Sequence, residues 1–186
     1  MNKCLFLDRD GVINYDYGYV HDKNSFVFQS DIFELVRFAK KHSYLVIVVT
    51  NQAGIGRGYY SEADFHSLTS WMINQFEIEG CSLDKVHFCP CHPIRGVGKY
   101  KRDCKNRKPM PGMINHALES FEINAANSLL IGDNMSDIEA GYSAGIGSLY
   151  LLDPQIKAIQ SSKQSLPPHT VVQSLLEIKN LMNLEL

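Results

Sequence analysis

The stretch LFLDRDGVIN, residues 5–14, closes an apolar run with two carboxylates one residue apart. Leu5, Phe6 and Leu7 read as a strand buried on both faces, the kind found inside a parallel sheet. Residues two apart on an extended chain point to the same side, so Asp8 and Asp10 can share one space if the chain stays extended through Arg9. Gly11 then lets the backbone turn sharply. Alone, this pattern describes a solvated turn, where Asp and Gly are common. The remainder of the chain decides between a turn and a site.

Two further apolar runs end in the same way. YLVIVVTN, 44–51, ends on Thr50 and Asn51, and SLLIGDN, 128–134, ends on Asp133 and Asn134. KVHFC at 85–89 and GSLYLLD at 147–153 read as a fourth and a fifth strand. Helical spacing of apolar residues fills the gaps over 30–42, 62–79, 112–121 and 136–144, with Ser61 as a cap and Asp64 three positions on. Polar, Pro-containing 153–169 reads as a loop, and Val171 to Met182 as a closing strand and helix. Alternating strands and helices predict an α/β fold: a doubly wound, mainly parallel, Rossmann-like sheet forming a single domain over 1–186.

Ligands of such sheets sit beyond the carboxyl ends of the strands, where all three polar clusters fall. Carboxylates held close repel unless a cation lies between them or one is protonated. A hard ion such as Mg²⁺ fits, held by carboxylates together with waters and phosphate oxygens. Asp8, Asp10 and Asp133 are the candidate ligands, with Asp137 one helical turn beyond. Thr50 adds a hydroxyl, and Lys108 in RKPMPGM adds a fixed positive charge. A carboxylate nucleophile, a second carboxylate, a metal, a hydroxyl and a lysine are what phosphoryl transfer through an aspartyl-phosphate needs.

Composition excludes other classes. The chain has 186 residues, is 45% hydrophobic and 20% charged, and carries a net charge of −2. That balance gives no general attraction to nucleic acid or to an acidic membrane, and disfavours a polynucleotide phosphatase, which would need a basic groove. The first apolar run is too short for a signal peptide, and no stretch reaches a membrane-spanning length. The expectation is a cytoplasmic monomer with no nucleic-acid or membrane partner. Five cysteines make an odd count for a disulfide framework. Cys89, Cys91 and Cys104 gather instead around a His-containing loop, at about 89–107, which suggests metal.

Asp8-x-Asp10-Gly11-Val12, Thr50-Asn51-Gln52, Lys108 and Gly132-Asp133-x-x-x-Asp137 resemble the four motifs of the haloacid dehalogenase superfamily of phosphatases. Asn14-x-x-x-Gly18-Tyr19-Val20-His21, Thr50 to Gly58 and Arg107 to Met113 narrow the resemblance to the branch of heptose-bisphosphate and histidinol-phosphate phosphatases. The resemblance implies Asp8 as nucleophile and metal ligand, and Asp10 as acid and then base, its carbonyl also facing the metal. It implies Thr50 and Lys108 as holders of the phosphoryl oxygens and Asp133 as the further Mg²⁺ ligand. It also implies a small phosphorylated sugar as the substrate, with contacts from Asp16, Tyr17, Gly18, Tyr19, Asn51, Gln52, Arg107 and Asn134. Asn134 departs from the lysine that bacterial heptose enzymes carry there.

Zinc-binding members of this branch resemble C-x-H followed by C-x-C before the lysine motif. Cys89 and Cys104 match; Cys91 replaces the His, and Asn106 replaces the last Cys. Two readings stand: a structural Zn²⁺ held by Cys89, Cys91, Cys104 and His92, or a zinc-free loop held by packing. The gaps between motifs leave no space for a large cap domain. A receiver-like, phospho-accepting module is the non-enzymatic rival, but it would carry its acceptor on a middle strand of the sequence rather than on the first.

Overall fold

The computed structural model describes residues 1–155 and 167–184. Its elements run β1 (Lys3–Leu7), α1 (Ile32–Lys41), β2 (Tyr44–Asn51), α2 (Ala53–Gly56), α3 (Glu62–Ile78) and β3 (Lys85–Cys89). They continue as α4 (Gly112–Ser120), β4 (Leu129–Gly132), α5 (Met135–Ser143), β5 (Ser148–Leu152), β6 (Thr170–Val172) and α6 (Leu175–Leu184). The loop expected over 153–169 lies mostly outside the described residues.

The strands form one sheet in the order β3-β2-β1-β4-β5-β6, and every pairing is parallel. The chain first builds outward from β1 on one side, then returns to add β4 on the other. Between β1 and β4 the crossovers diverge to opposite faces, which opens a crevice at their carboxyl ends.

Strand residues alternate strictly between two cores. Leu5, Leu7, Val46, Val48 and Ile131 pack with α1, α3 and α6 through Leu35, Met72 and Ile178. Cys4, Phe6, Ile47, Val49 and Leu130 pack on the other face with α4 and α5, through Ile114 and Ile138. Both faces are covered, which is why the strands read as unbroken apolar runs rather than alternating ones. At roughly 1.5–3 kcal/mol for each fully buried large aliphatic side chain, these two layers supply the main force that holds the sheet rigid.

The helix ends follow local chemistry. Ser61 accepts from Asp64 N at 3.1 Å, and Asp64 Oδ2 accepts from Ser61 N at 2.8 Å, a reciprocal capping box at the start of α3. Asn134 and Asp137 form the same device at the start of α5. No cap domain is inserted among the described residues. The β1–α1 connection, 8–31, carries only isolated bridges, Asp10 with Asn14 and Asn14 with Phe28. No helix of the described residues is long and apolar enough to cross a membrane.

Candidate active site

Asp8 follows β1 directly, and its N–H donates to Ile131 O at 3.0 Å, so the crevice position is pinned from both flanking strands. Its Oδ1 accepts from Arg9 N at 2.7 Å and lies 2.9 Å from Lys108 Nζ. Asp133 follows β4. Gly11, at φ +88°, passes so close that a Cβ there would lie 2.0 Å from Asp133 Oδ2. That position therefore needs glycine for space as well as for its backbone conformation.

One ligand atom each of Asp8, Asp133 and Asp137 lies within 4.8 Å of the others. Lys108 is the buried cation facing them, donating to Val49 O at 2.8 Å and paired with Asp137 Oδ1 at 2.5 Å. Asp137 Oδ2 accepts from Asn134 N at 3.1 Å. Asp137 thus pairs with Lys108 through one oxygen and ties to the start of α5 through the other. Burial raises the Asp8 carboxyl to about 8; Lys108 opposes that shift, while Asp137 and Asp133 add to it. Partial loss of water and the Asp137 charge raise Asp133, which borders the open cleft, to about 7. Burial alone would lower Lys108, but Asp137 and Asp8 outweigh it and hold the ammonium above its ordinary value.

Three carboxylates against one lysine leave a local charge of −2 when all are ionised. A divalent cation balances that sum, and an all-oxygen donor set suits Mg²⁺. The residues present fit the ion, with Asp8 and Asp133 as its carboxylate ligands. The Asp10 carboxylate stands outside this trio. Its Oδ1 accepts from Arg9 Nη2 at 2.9 Å and Asn14 Nδ2 at 3.1 Å. Its Oδ2 accepts from Arg9 Nη2 at 2.9 Å and Gln52 Nε2 at 2.9 Å.

The cleft measures about 520 Å³ and is lined by Asp8, Asp10, Thr50, Lys108 and Asp133, with Asp16, Tyr19, Asn51, Gln52, Arg107 and Asn134 also on its walls. Several of these carry structural duties. Asn51 clamps the Lys108 backbone, donating to its O at 3.0 Å and accepting from its N at 3.1 Å. Asn134 caps α5, accepting from Ser136 N at 3.1 Å. Arg107 donates to Cys91 O at 3.2 Å. Tyr17 and Gly18 are not among the lining residues; Tyr17 is largely exposed beside Tyr15.

The cysteine loop brings Cys89, Cys91 and Cys104 together, their sulfurs within 4.8 Å of one another. His92 does not join them. Its Nδ1 accepts from Ile94 N at 3.2 Å and Arg95 N at 3.0 Å, because the chain turns there and the imidazole caps the turn. Arg102 Nε approaches Cys91 Sγ at 3.4 Å. Burial pushes the Cys89 thiol up to about 12.

Sequence reasoning misses two residues and leaves a third without a task. Arg9, read as a spacer, is fully buried and grips Asp10; its only signal is a cation fixed between two acids. Tyr60 is buried and donates to Gln52 Oε1 at 2.5 Å, a contact with no spacing signature. Asp137 stands in the fourth motif, but its pairing with Lys108 is visible only in space.

Gathered carboxylates that could hold a hard metal, facing a buried lysine at the switch point of a parallel sheet, fit a phosphohydrolase of the haloacid dehalogenase type. A family model described as HAD-hydrolase-like matches residues 105–178. The chain is 56% identical over 151 residues to D-glycero-alpha-D-manno-heptose-1,7-bisphosphate 7-phosphatase of Burkholderia mallei, covering 81% of this chain and 80% of that one. It is 45% identical over 149 residues to the beta-anomer enzyme of Vibrio cholerae, covering 80% of each. A crystal structure of D,D-heptose 1,7-bisphosphate phosphatase from B. bronchiseptica, complexed with magnesium and phosphate, shares the fold with a TM-score of 0.85, covering 99% of each chain at 24% identity. The chain belongs to the D,D-heptose-1,7-bisphosphate 7-phosphatase family of the HAD-like hydrolases.

Proposed function

We propose that the chain, working as one domain, removes the 7-phosphate of a D-glycero-D-manno-heptose 1,7-bisphosphate in nucleotide-activated heptose synthesis. Asp8 attacks phosphorus with its carboxylate, and the bond to the sugar oxygen breaks. Asp10 delivers a proton to that leaving oxygen, so the product is a neutral hydroxyl. The aspartyl-phosphate is then hydrolysed: water attacks phosphorus, its proton passes to Asp10, and inorganic phosphate leaves with Asp8 restored. Lys108 and Thr50 hold the phosphoryl oxygens throughout. Asp8 and Asp133 would hold Mg²⁺, which would supply charge stabilisation to the transferring group.

The observation that carries this reading is the division of surroundings between the two aspartates. Asp8 faces the lysine and the metal-type acids, whereas Asp10 is set apart on Arg9, Asn14 and Gln52. That difference supports Asp8 as the nucleophile and Asp10 as the group that exchanges protons. Arg107, on the cleft wall beside Lys108, is assigned to the 1-phosphate, since a planar guanidinium suits a bidentate grip on an anion.

The three gathered sulfurs support a structural Zn²⁺ beneath the Arg107–Lys108 segment, with a fourth ligand other than His92. The cytoplasm fits the reading, because Cys4, Cys81, Cys89, Cys91 and Cys104 form no disulfide, as in a reducing compartment. A monomer suffices, since one chain supplies every group named.

The test is phosphate release from the α- and β-anomers of the bisphosphate, and from histidinol phosphate, with Mg²⁺ or with EDTA. Mg²⁺-dependent release from carbon 7 of either anomer is expected. Faster turnover of histidinol phosphate, or release from carbon 1, would overturn the assignment.

A further inference from the structure

We propose that Arg9 and Tyr60 are positioning residues that tie the orientation of Asp10 to the seating of the Tyr19–His21 segment against the cleft wall. The inference rests on the acid–base role given to Asp10 above. Tyr19 lies at φ +55°, a left-handed conformation that a bulky residue adopts only when its surroundings hold it there. Those surroundings are specific. Arg57 Nη1 donates to the Tyr19 hydroxyl, and Tyr59 packs edge-on against the Tyr19 ring at 4.7 Å. Gly54 in α2 leaves the room: a Cβ there would lie 2.2 Å from the Tyr60 ring and 3.0 Å from that of Tyr19.

Two side-chain paths run from this segment to Asp10. In the first, Arg9 Nη2 donates to Val20 O at 2.6 Å and to both Asp10 oxygens at 2.9 Å. One nitrogen serves the wall and the carboxylate, so displacing Val20 changes what holds Asp10. In the second, the Tyr60 ring stacks on His21, with centroids 5.1 Å apart and planes 3° from parallel. The Tyr60 hydroxyl donates to Gln52 Oε1 at 2.5 Å. An amide whose oxygen is so taken must turn its nitrogen the other way, and Gln52 Nε2 donates to Asp10 Oδ2 at 2.9 Å and Thr50 Oγ1 at 2.8 Å. The side chain of Asp8 is on neither path; its Oδ1 is held by Arg9 N and Lys108.

The consequence is selective. Unseating the segment leaves the nucleophile formed and the acid misaligned. A leaving group that needs no proton still departs; a sugar alkoxide does not, and hydrolysis of the phosphoenzyme slows. Substrates that occupy the Tyr19 wall therefore keep Asp10 in line, which gives a capless cleft a way to favour its own substrate.

Tyr60→Phe removes the hydroxyl and keeps the ring, and His21→Ala removes the stack at an exposed position. Each is compared with Asp10→Asn. Rapid-quench kinetics with p-nitrophenyl phosphate and Mg²⁺ separate nitrophenolate release in the first turnover from steady-state phosphate release. In both variants the first turnover is expected within about twofold of the parent. Steady-state release should fall about tenfold, part of the ~10²–10⁴ that general acid–base catalysis contributes, and turnover of the heptose bisphosphate should fall at least as far. Parent-like rates in both phases, or equal losses in both phases, would overturn the proposal, the latter showing a merely structural role. If Asp10→Asn itself keeps parent steady-state rates, the acid–base reading fails and takes this inference with it. If Asp10→Asn is impaired and Tyr60→Phe is not, only the inference fails.

Discussion

Asp8 and Asp10 are two residues apart, yet they meet different partners. Asp8 borders two acids and a lysine; Asp10 meets donors alone. Asp8→Asn should lose about 10⁵-fold or more in kcat, the scale seen when a covalent nucleophile is removed, because an amide cannot attack phosphorus. Circular dichroism should be unchanged. Residual turnover near the parent rate would remove the covalent route. Arg107→Ala tests the far end of the substrate. Losing a charge-assisted contact of about 1.5–3 kcal/mol should cost roughly ten- to a hundredfold in kcat/KM on the bisphosphate. An aryl phosphate, with no second anion, should be nearly unaffected. Equal losses on both would place Arg107 on the transferred phosphate instead. At this scale the sequence is legible wherever a chemistry-bearing residue ends a strand. Asp8, Thr50 and Asp133 do so, and their convergence follows from the parallel sheet alone. Arg9, Tyr60 and the pairing of Asp137 are not legible, because their roles depend on side chains that meet across loops. His92 misleads for a related reason: adjacency to Cys91 in sequence says nothing of which way a turn points its ring.

The elements bear this out in their lengths. α3 spans 17 residues, long enough for its Phe65, Leu68, Met72 and Phe76 face to be read directly. α2 is a single turn of four residues, too short for any periodicity, so nothing in the spacing announces it. Its signal is chemical: Gly54 and Gly56 allow Tyr60 and the Pro90 carbonyl to approach closely. The start of α3 is testable in isolation from catalysis. Ser61→Ala removes the hydroxyl that accepts from Asp64 N, leaves the backbone N–H of residue 61 on Asp64 Oδ2, and should cost about 1 kcal/mol in urea unfolding, with activity retained. No change in midpoint would mean that packing of Phe65 and Leu68 alone fixes the helix start. The cysteine loop is the other element with an independent readout. Protein purified without chelator should carry near-stoichiometric zinc, lost in a Cys89→Ser, Cys104→Ser double variant together with Arg107-dependent selectivity. Metal-free protein with full selectivity would show that packing among the buried thiols suffices.

At the scale of the whole molecule, the sheet gathers negative charge that either a bound metal ion or protonation relieves, and stability should report it. In the metal-free protein Asp8 and Asp133 titrate near 8 and 7, well above their ordinary values near 4. Between those limits the folded state holds more protons than the unfolded chain, so unfolding free energy falls as pH rises. Burial of His87, beside His116, lowers its imidazole to about 4, and it acts in the opposite direction. Its penalty grows only as pH drops below the unfolded imidazole value of about 6.5. The window from about pH 6.5 to 8.5 is therefore set mainly by the carboxylates, opposed toward its upper end by the Cys104 thiol, which is held below its ordinary value. In EDTA the melting temperature should decline across that window, and Asp133→Asn should flatten the decline. Mg²⁺ at about a hundred times its Kd adds roughly 2.7 kcal/mol, or about 5–10 °C for a chain of this size. Because protons compete for Asp8 and Asp133, a fixed Mg²⁺ concentration should raise the melting temperature more at pH 8.5 than at 6.5. Differential scanning fluorimetry at both pH values, with and without the ion, measures all of these terms. A Mg²⁺ shift that is independent of pH, or one that survives in Asp133→Asn, would mean that the ion binds away from the ends of β1 and β4.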